Sequence, residues 1–105
     1  MDATWSIERG LEGAADRMVI HGDLDIAEEE RLVRDIDEHF ERPAARDLVV
    51  DLGAVDFVDS SAVRAIIRVR RSHGTRVVIG ALSDPVRRVF DIAGVTRLFD
   101  EEAAD

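Results

Sequence analysis

The 105-residue sequence contains no cysteine, which excludes a disulfide framework, a thiolate metal site and a cysteine nucleophile. It contains no lysine either. All 14 basic residues are arginine, a uniformity better explained by the coding habit of a GC-rich genome than by local chemistry. No Gly-rich phosphate loop of the P-loop or dinucleotide type occurs. No apolar run approaches the ~20 residues a helix needs to cross a bilayer. The opening MDATWSIERG lacks the basic flank and apolar stretch of a signal peptide. His21, His39 and His73 lie too far apart for a local metal-ligand spacing. Repeats, linkers and low-complexity segments are also missing. These absences lead us to expect a cytoplasmic protein with no metal, no cofactor and no membrane insertion.

What is present is a folded composition, with 46% apolar and 35% charged residues. The length suits one domain with one core. Acidic residues outnumber basic ones 23 to 14, for a formal net charge of −9. A surface of that average sign repels phosphate backbones and anionic bilayers, so direct nucleic-acid binding is not expected. A protein partner or an electropositive pocket fits better.

Alternation in TWSIE predicts a strand over 4–8, and RMVIHG a second over 17–22, with a turn at Gly10 to Gly13. So short a connection is most simply a hairpin. Asp25 opens a helix whose Leu32, Val33, Ile36 and Phe40 recur at helical spacing, and Glu28 completes a D-x-x-E capping box. DLVVDL, 47–52, reads as a strand buried on both faces. Strand, helix and strand in that order imply a parallel crossover. Val63, Ile66, Ile67 and Arg70 mark a second helix ending near His73–Gly74, followed by a strand over 76–82. In SDPVRRVFDIAG, Ser83 or Asp84 caps a third helix, with Pro85 at its first position. Val86, Val89, Phe90 and Ala93 form its core face and Gly94 lies past its end. TRLF reads as a last short strand and DEEAAD as an acidic tail over 100–105. Trp5 is expected to plug the open end of the sheet, and the order ββαβαβα(β) gives one α/β domain with a mixed sheet.

The candidate site is FVDSSAVRAI, 57–66, where a strand gives way to a helix. Ligands gather at such junctions in α/β sheets. Asp59 is placed to cap the helix, with Ser60 and Ser61 in its first turn, where outward N–H groups and the helix dipole favour an anion. From the residues alone two readings stand side by side: ordinary capping, which Asp and Ser commonly provide, and a serine whose hydroxyl accepts a phosphoryl group. Asp56 is expected to cap the turn beside the site or to repel an added phosphate. The three histidines read as structural.

Three segments in order resemble the STAS domain of bacterial anti-sigma factor antagonists. VVDLGAVDFVDSSAVRAI, 49–66, is similar to that family's signature of a hydrophobic strand, an Asp-Ser-Ser/Thr-Gly turn and a helix. GDLDIAEEERL, 22–32, resembles its turn into the first helix, and LSDPVRRVFDIAGVTRLF, 82–99, resembles its last conserved helix. The resemblance implies a single STAS domain over 1–105, with a core of about 4–99. Its sheet would be four- to five-stranded and mixed, with an N-terminal hairpin and helices packed on it. It implies a non-enzymatic regulator that binds an anti-sigma factor with serine kinase activity, frees a sigma factor, and is switched off by phosphorylation. The acceptor position matches Ser60, and a phosphatase reverses the modification. The partner-binding positions would be Asp23, Asp59, Ser61, Ala62 and Arg64.

Two positions depart from the family pattern. Ala62 and Arg64 stand where small residues, the first usually glycine, are the rule. Arg64 lies one turn after Ser60, in reach of a phosphate there, and together with Arg68 and Arg71 it also reads as a solvated helix face. The alternative function is a constitutive STAS interaction subunit of an ABC-type lipid transporter or a signalling assembly. A serine hydrolase would require a base brought to Ser60 by the fold.

Overall fold

The computed structural model describes residues 2–11 and 14–95. The chain runs β1 (Thr4–Glu8), β2 (Asp16–Leu24), α1 (Ile26–Glu41), β3 (Leu48–Val58), α2 (Ser60–His73), β4 (Val77–Leu82) and α3 (Asp84–Ala93). The strands form one sheet in the order β1-β2-β3-β4. β1 and β2 make the antiparallel N-terminal hairpin, and β2, β3 and β4 are parallel neighbours. This is the single mixed-sheet α/β domain expected. The short strand expected at TRLF and the tail DEEAAD lie outside the described residues.

Alternation along β2 puts Met18, Ile20 and Leu24 into the core, while Arg17 and His21 face solvent. In β3, Leu48, Val50 and Leu52 point the same way. The opposite face of this stretch is only half-covered, because Val49 and Asp51 remain partly exposed. The segment is therefore not buried on both faces as expected. β3 also does not stop at Leu52 but runs six residues further, to Val58. Its alternation slips after Leu52, and Val55 and Val58 carry the buried face onward. The strand pairings show matching irregularities, one between Val50 and Leu52 and others in the β2 register. A bulge of this kind re-aims side chains and hides the period-two signal. β2 likewise continues past Gly22 to Leu24. Gly22 has φ +92°, a conformation that glycine adopts without strain.

The helices begin where capping chemistry predicts. Asp25 accepts a hydrogen bond from the Ala27 amide (3.0 Å). Glu28 does not reach back to complete the capping box, because its carboxylate is taken by Arg31 at 2.7 Å. The Ser83 hydroxyl caps α3 by accepting from Val86 (3.4 Å), and it donates to the Val55 carbonyl, tying α3 to β3. Gly94 closes α3 in the left-handed region at φ +76°.

The core gathers Leu32, Val33 and Ile36 of α1, Val63, Ile66 and Val69 of α2, and Val86 and Phe90 of α3 against β2 and β3. Ala93, expected inside, is exposed. Trp5 is partly buried on the edge strand β1 and packs against the core. Its indole N–H donates to Asp35 (2.8 Å) and its ring carries the Arg31 guanidinium at 4.0 Å, fastening β1 to α1. His39 is buried and bonded to the Arg46 carbonyl, and His73 pairs with Asp37 at 2.7 Å while stacking on Phe40. Both have structural roles, as their spacing suggested. Among the described residues no cluster of three or more metal-ligating side chains forms, and no helix is long and apolar enough to cross a membrane.

Two residues on α3 test this packing. Phe90 is fully buried and Ile92 is 82% exposed. Phe90→Ala is expected to cost about 3–5 kcal/mol of unfolding free energy and Ile92→Ala less than about 0.5 kcal/mol, read from urea denaturation. Similar losses for the two would contradict the packing.

Candidate functional site

β3 ends at Val58, and the chain turns at once into α2 through Asp59. Each oxygen of the Asp59 carboxylate has its own task. Oδ1 accepts from the Ala62 amide at 2.9 Å, capping α2, and Oδ2 accepts from the Ile26 amide at 3.1 Å, at the first residue of α1. The Asp59 amide in turn donates to the Leu24 carbonyl at the end of β2 (3.3 Å). One residue thus joins two strand ends and two helix starts. Its negative charge lies at the positive poles of both helices, where it is favoured.

Ser60 is the first residue of α2 and is exposed. Among the described residues no histidine is hydrogen-bonded to its hydroxyl; His39 bonds Arg46 and His73 bonds Asp37. Ser61 behaves differently. It is buried, at 6% exposure, and its hydroxyl accepts from Arg64 Nη2 at 3.2 Å. Ala62 is completely buried in the core cluster. A direct contact between the Ala62 side chain and a partner, as expected from the motif, is therefore not offered. One helical step turns a side chain by ~100°, and Ala62 lands on the face that packs beside Val63 and Ile66. Arg64 is exposed, and its reach is back over Ser61. Asp23 is half-buried beside the site, paired in register with Phe57. Asp56, expected to cap a turn or to repel an added phosphate, is an exposed residue of β3 and so lies in no turn.

The structure adds two residues that motif reading passed over. Phe57 is 51% exposed and Ile26 is 68% exposed. Both flank the Asp59 junction, one by chain neighbourhood and the other through its amide. Large apolar side chains held in solvent next to an exposed serine make a surface suited to protein contact. The available signals were an aromatic residue just before the Asp-Ser-Ser turn and an isoleucine directly after a capping aspartate.

This four-stranded mixed sheet with its three helices has known counterparts. A family profile described as "Mlab, STAS domain" matches residues 7–100. The chain belongs to the STAS domain family. Among solved structures it is similar to an anti-sigma factor antagonist from Mycobacterium paratuberculosis, at 22% identity and TM-score 0.73, covering 93% of this chain and 83% of that one. The anti-sigma factor antagonist SpoIIAA in its unphosphorylated form matches at 22% identity and TM-score 0.70, over 88% of this chain and 82% of its own. The Bacillus cell fate determinant SpoIIAA in the phosphorylated form matches at 18% identity and TM-score 0.66, over 90% and 86%. The domain therefore has the SpoIIAA-like fold.

The double role of Asp59 has a measurable consequence. Asp59→Ala leaves two helix-start amides without their acceptor and is expected to destabilise the domain by about 1–3 kcal/mol. Asp59→Asn, which keeps one amide-accepting oxygen, should lose less. Chemical denaturation measures both, and a neutral Asp59→Ala would overturn the bridging role.

Proposed function

We propose that this protein is an anti-sigma factor antagonist of the cytoplasm. It acts by binding rather than by catalysis: it engages an anti-sigma factor with serine kinase activity and is released when that kinase phosphorylates Ser60, with a phosphatase restoring the binding form. The observation that carries this reading is the exposed Ser60 at the head of α2, beside the exposed Phe57 and Ile26. A phosphoryl group there adds roughly −1.5 to −2 charges at neutral pH. The fold tolerates it, because it sits at a helix N-terminus on the surface. A docked partner does not, because the charge enters a face built from apolar groups and the Asp23 and Asp59 carboxylates. Asp23 and Asp59 shape the docking face, and Ser61 and Ala62 set its backbone from beneath.

The alternative is a constitutive interaction subunit of an ABC-type lipid transporter or a signalling assembly. It draws support from Arg64, whose guanidinium holds Ser61 and stands where a small residue is usual in such switches.

Incubation with the candidate kinase and ATP, followed by mass spectrometry, is expected to place phosphate on Ser60 and nowhere else. In calorimetric titration, Ser60→Asp and Ser60→Glu are expected to bind that partner at least tenfold more weakly, about 1.4 kcal/mol. Undiminished binding by both variants would reject the switch and favour the constitutive reading.

A further inference from the structure

The outer face of α2 carries Arg64, Arg68 and Arg71, all exposed, at intervals of four and three residues. Such spacing aligns them in one ridge about 10 Å long. Four other arginines are paired locally: Arg17 with Asp51, Arg31 with Glu28, Arg34 with Asp35 and Arg76 with Asp47. Arg68 and Arg71 make no hydrogen bond or ion pair among the described residues, and Arg64 holds only a neutral hydroxyl. In a chain of net charge −9, three arginines aligned on one exposed helix face form a local cationic strip. The ridge borders an open groove of ≈ 490 Å³ lined by Arg64, Ile67, Arg68, Arg71 and Ser72. Ile67, half-buried, gives it an apolar floor.

We infer that this ridge is a second docking surface that receives an acidic, amphipathic segment of a protein partner, with carboxylates on the arginines and an aliphatic side chain over Ile67. Two features select a short segment over an extended anionic surface. The cationic strip is narrow, and the neighbouring groove on its α1 side is lined by Glu30, Asp37, Glu38 and Glu41 along with Arg34 and Arg68. A bilayer or nucleic-acid backbone laid on the ridge meets those carboxylates, whereas a single helix or extended stretch fits between them. The ridge starts at Arg64, which touches Ser61, so it is continuous with the face around Ser60.

The test uses the full chain labelled with ¹⁵N-arginine. The probe is a 14-residue synthetic peptide of alternating Glu and Leu positions at helical spacing, its Gln counterpart serves as control, and vesicles of phosphatidylcholine and phosphatidylglycerol test for a lipid surface. The Glu peptide is expected to shift the side-chain Nε–H signals of Arg64, Arg68 and Arg71, and the Gln peptide to leave them in place. Its affinity should fall at least tenfold in the Arg68→Glu/Arg71→Glu variant, and by a smaller factor in Arg68→Gln/Arg71→Gln, with circular dichroism unchanged. Raising the salt concentration should weaken it as well. The inference is overturned if the peptide does not bind, if it binds the charge-reversed variant equally well, or if only the vesicles engage these arginines. A normal Ser60→Asp response alongside any of these results would separate this failure from failure of the Ser60 switch.

Discussion

The Asp59 carboxylate is the joint on which this domain's working surface depends. β2 and β3 end side by side, and each hands the chain to a helix whose first amides need acceptors. The Asp59 side chain serves one amide at each helix start, with one oxygen on Ala62 and the other on Ile26, while Asp25 caps α1 at Ala27. This fixes the starts of α1 and α2 relative to each other, and with them the positions of Ile26, Phe57 and Ser60. A contact surface assembled from three chain segments usually depends on loop conformations; here it is set by one short residue between rigid elements.

The rest of the fold supports that joint from beneath. The core faces of α1, α2 and α3 close on β2 and β3, and Ser83 ties the start of α3 to the β3 carbonyl at Val55. At the far end of the helices, His73 bridges to Asp37 and stacks on Phe40, so α1 and α2 are held to each other at both ends. Two helices pinned at both ends have little freedom to slide. The face around Ser60 is therefore preformed, which would keep the ordering cost of any docking small.

Much of this was legible in the residues. Asp25, Asp59 and Ser83 announced the helix starts, Gly94 a helix end, and the periodicity of Leu32, Val33, Ile36, Val63, Ile66, Val86 and Phe90 the buried faces. What escaped reading has identifiable causes. β3 was cut short because its alternation changes phase after Leu52, and a bulge leaves no local compositional mark beyond Gly53 and Ala54. Gly22 looked like a terminator, yet its positive φ lets β2 continue. The expected capping box failed because Glu28 found a nearer cation in Arg31, a choice between two legitimate partners that only geometry decides. Trp5 found its partners about thirty residues away on α1, a distance no local pattern encodes. At the site, the Asp-Ser-Ser signature located the junction, but it could not tell that Ala62 turns inward or that Ile26 joins from another helix.

Ser60 and Ser61 are chemically identical neighbours that the fold makes unequal. One hydroxyl is open to solvent; the other lies under a guanidinium and out of reach. Of these two serines, only the Ser60 hydroxyl at the head of α2 would be open to an approaching transferase. Under the phosphorylation proposed above, the choice between the two serines would be made by the acceptor's architecture, and an incoming enzyme would not need to supply it.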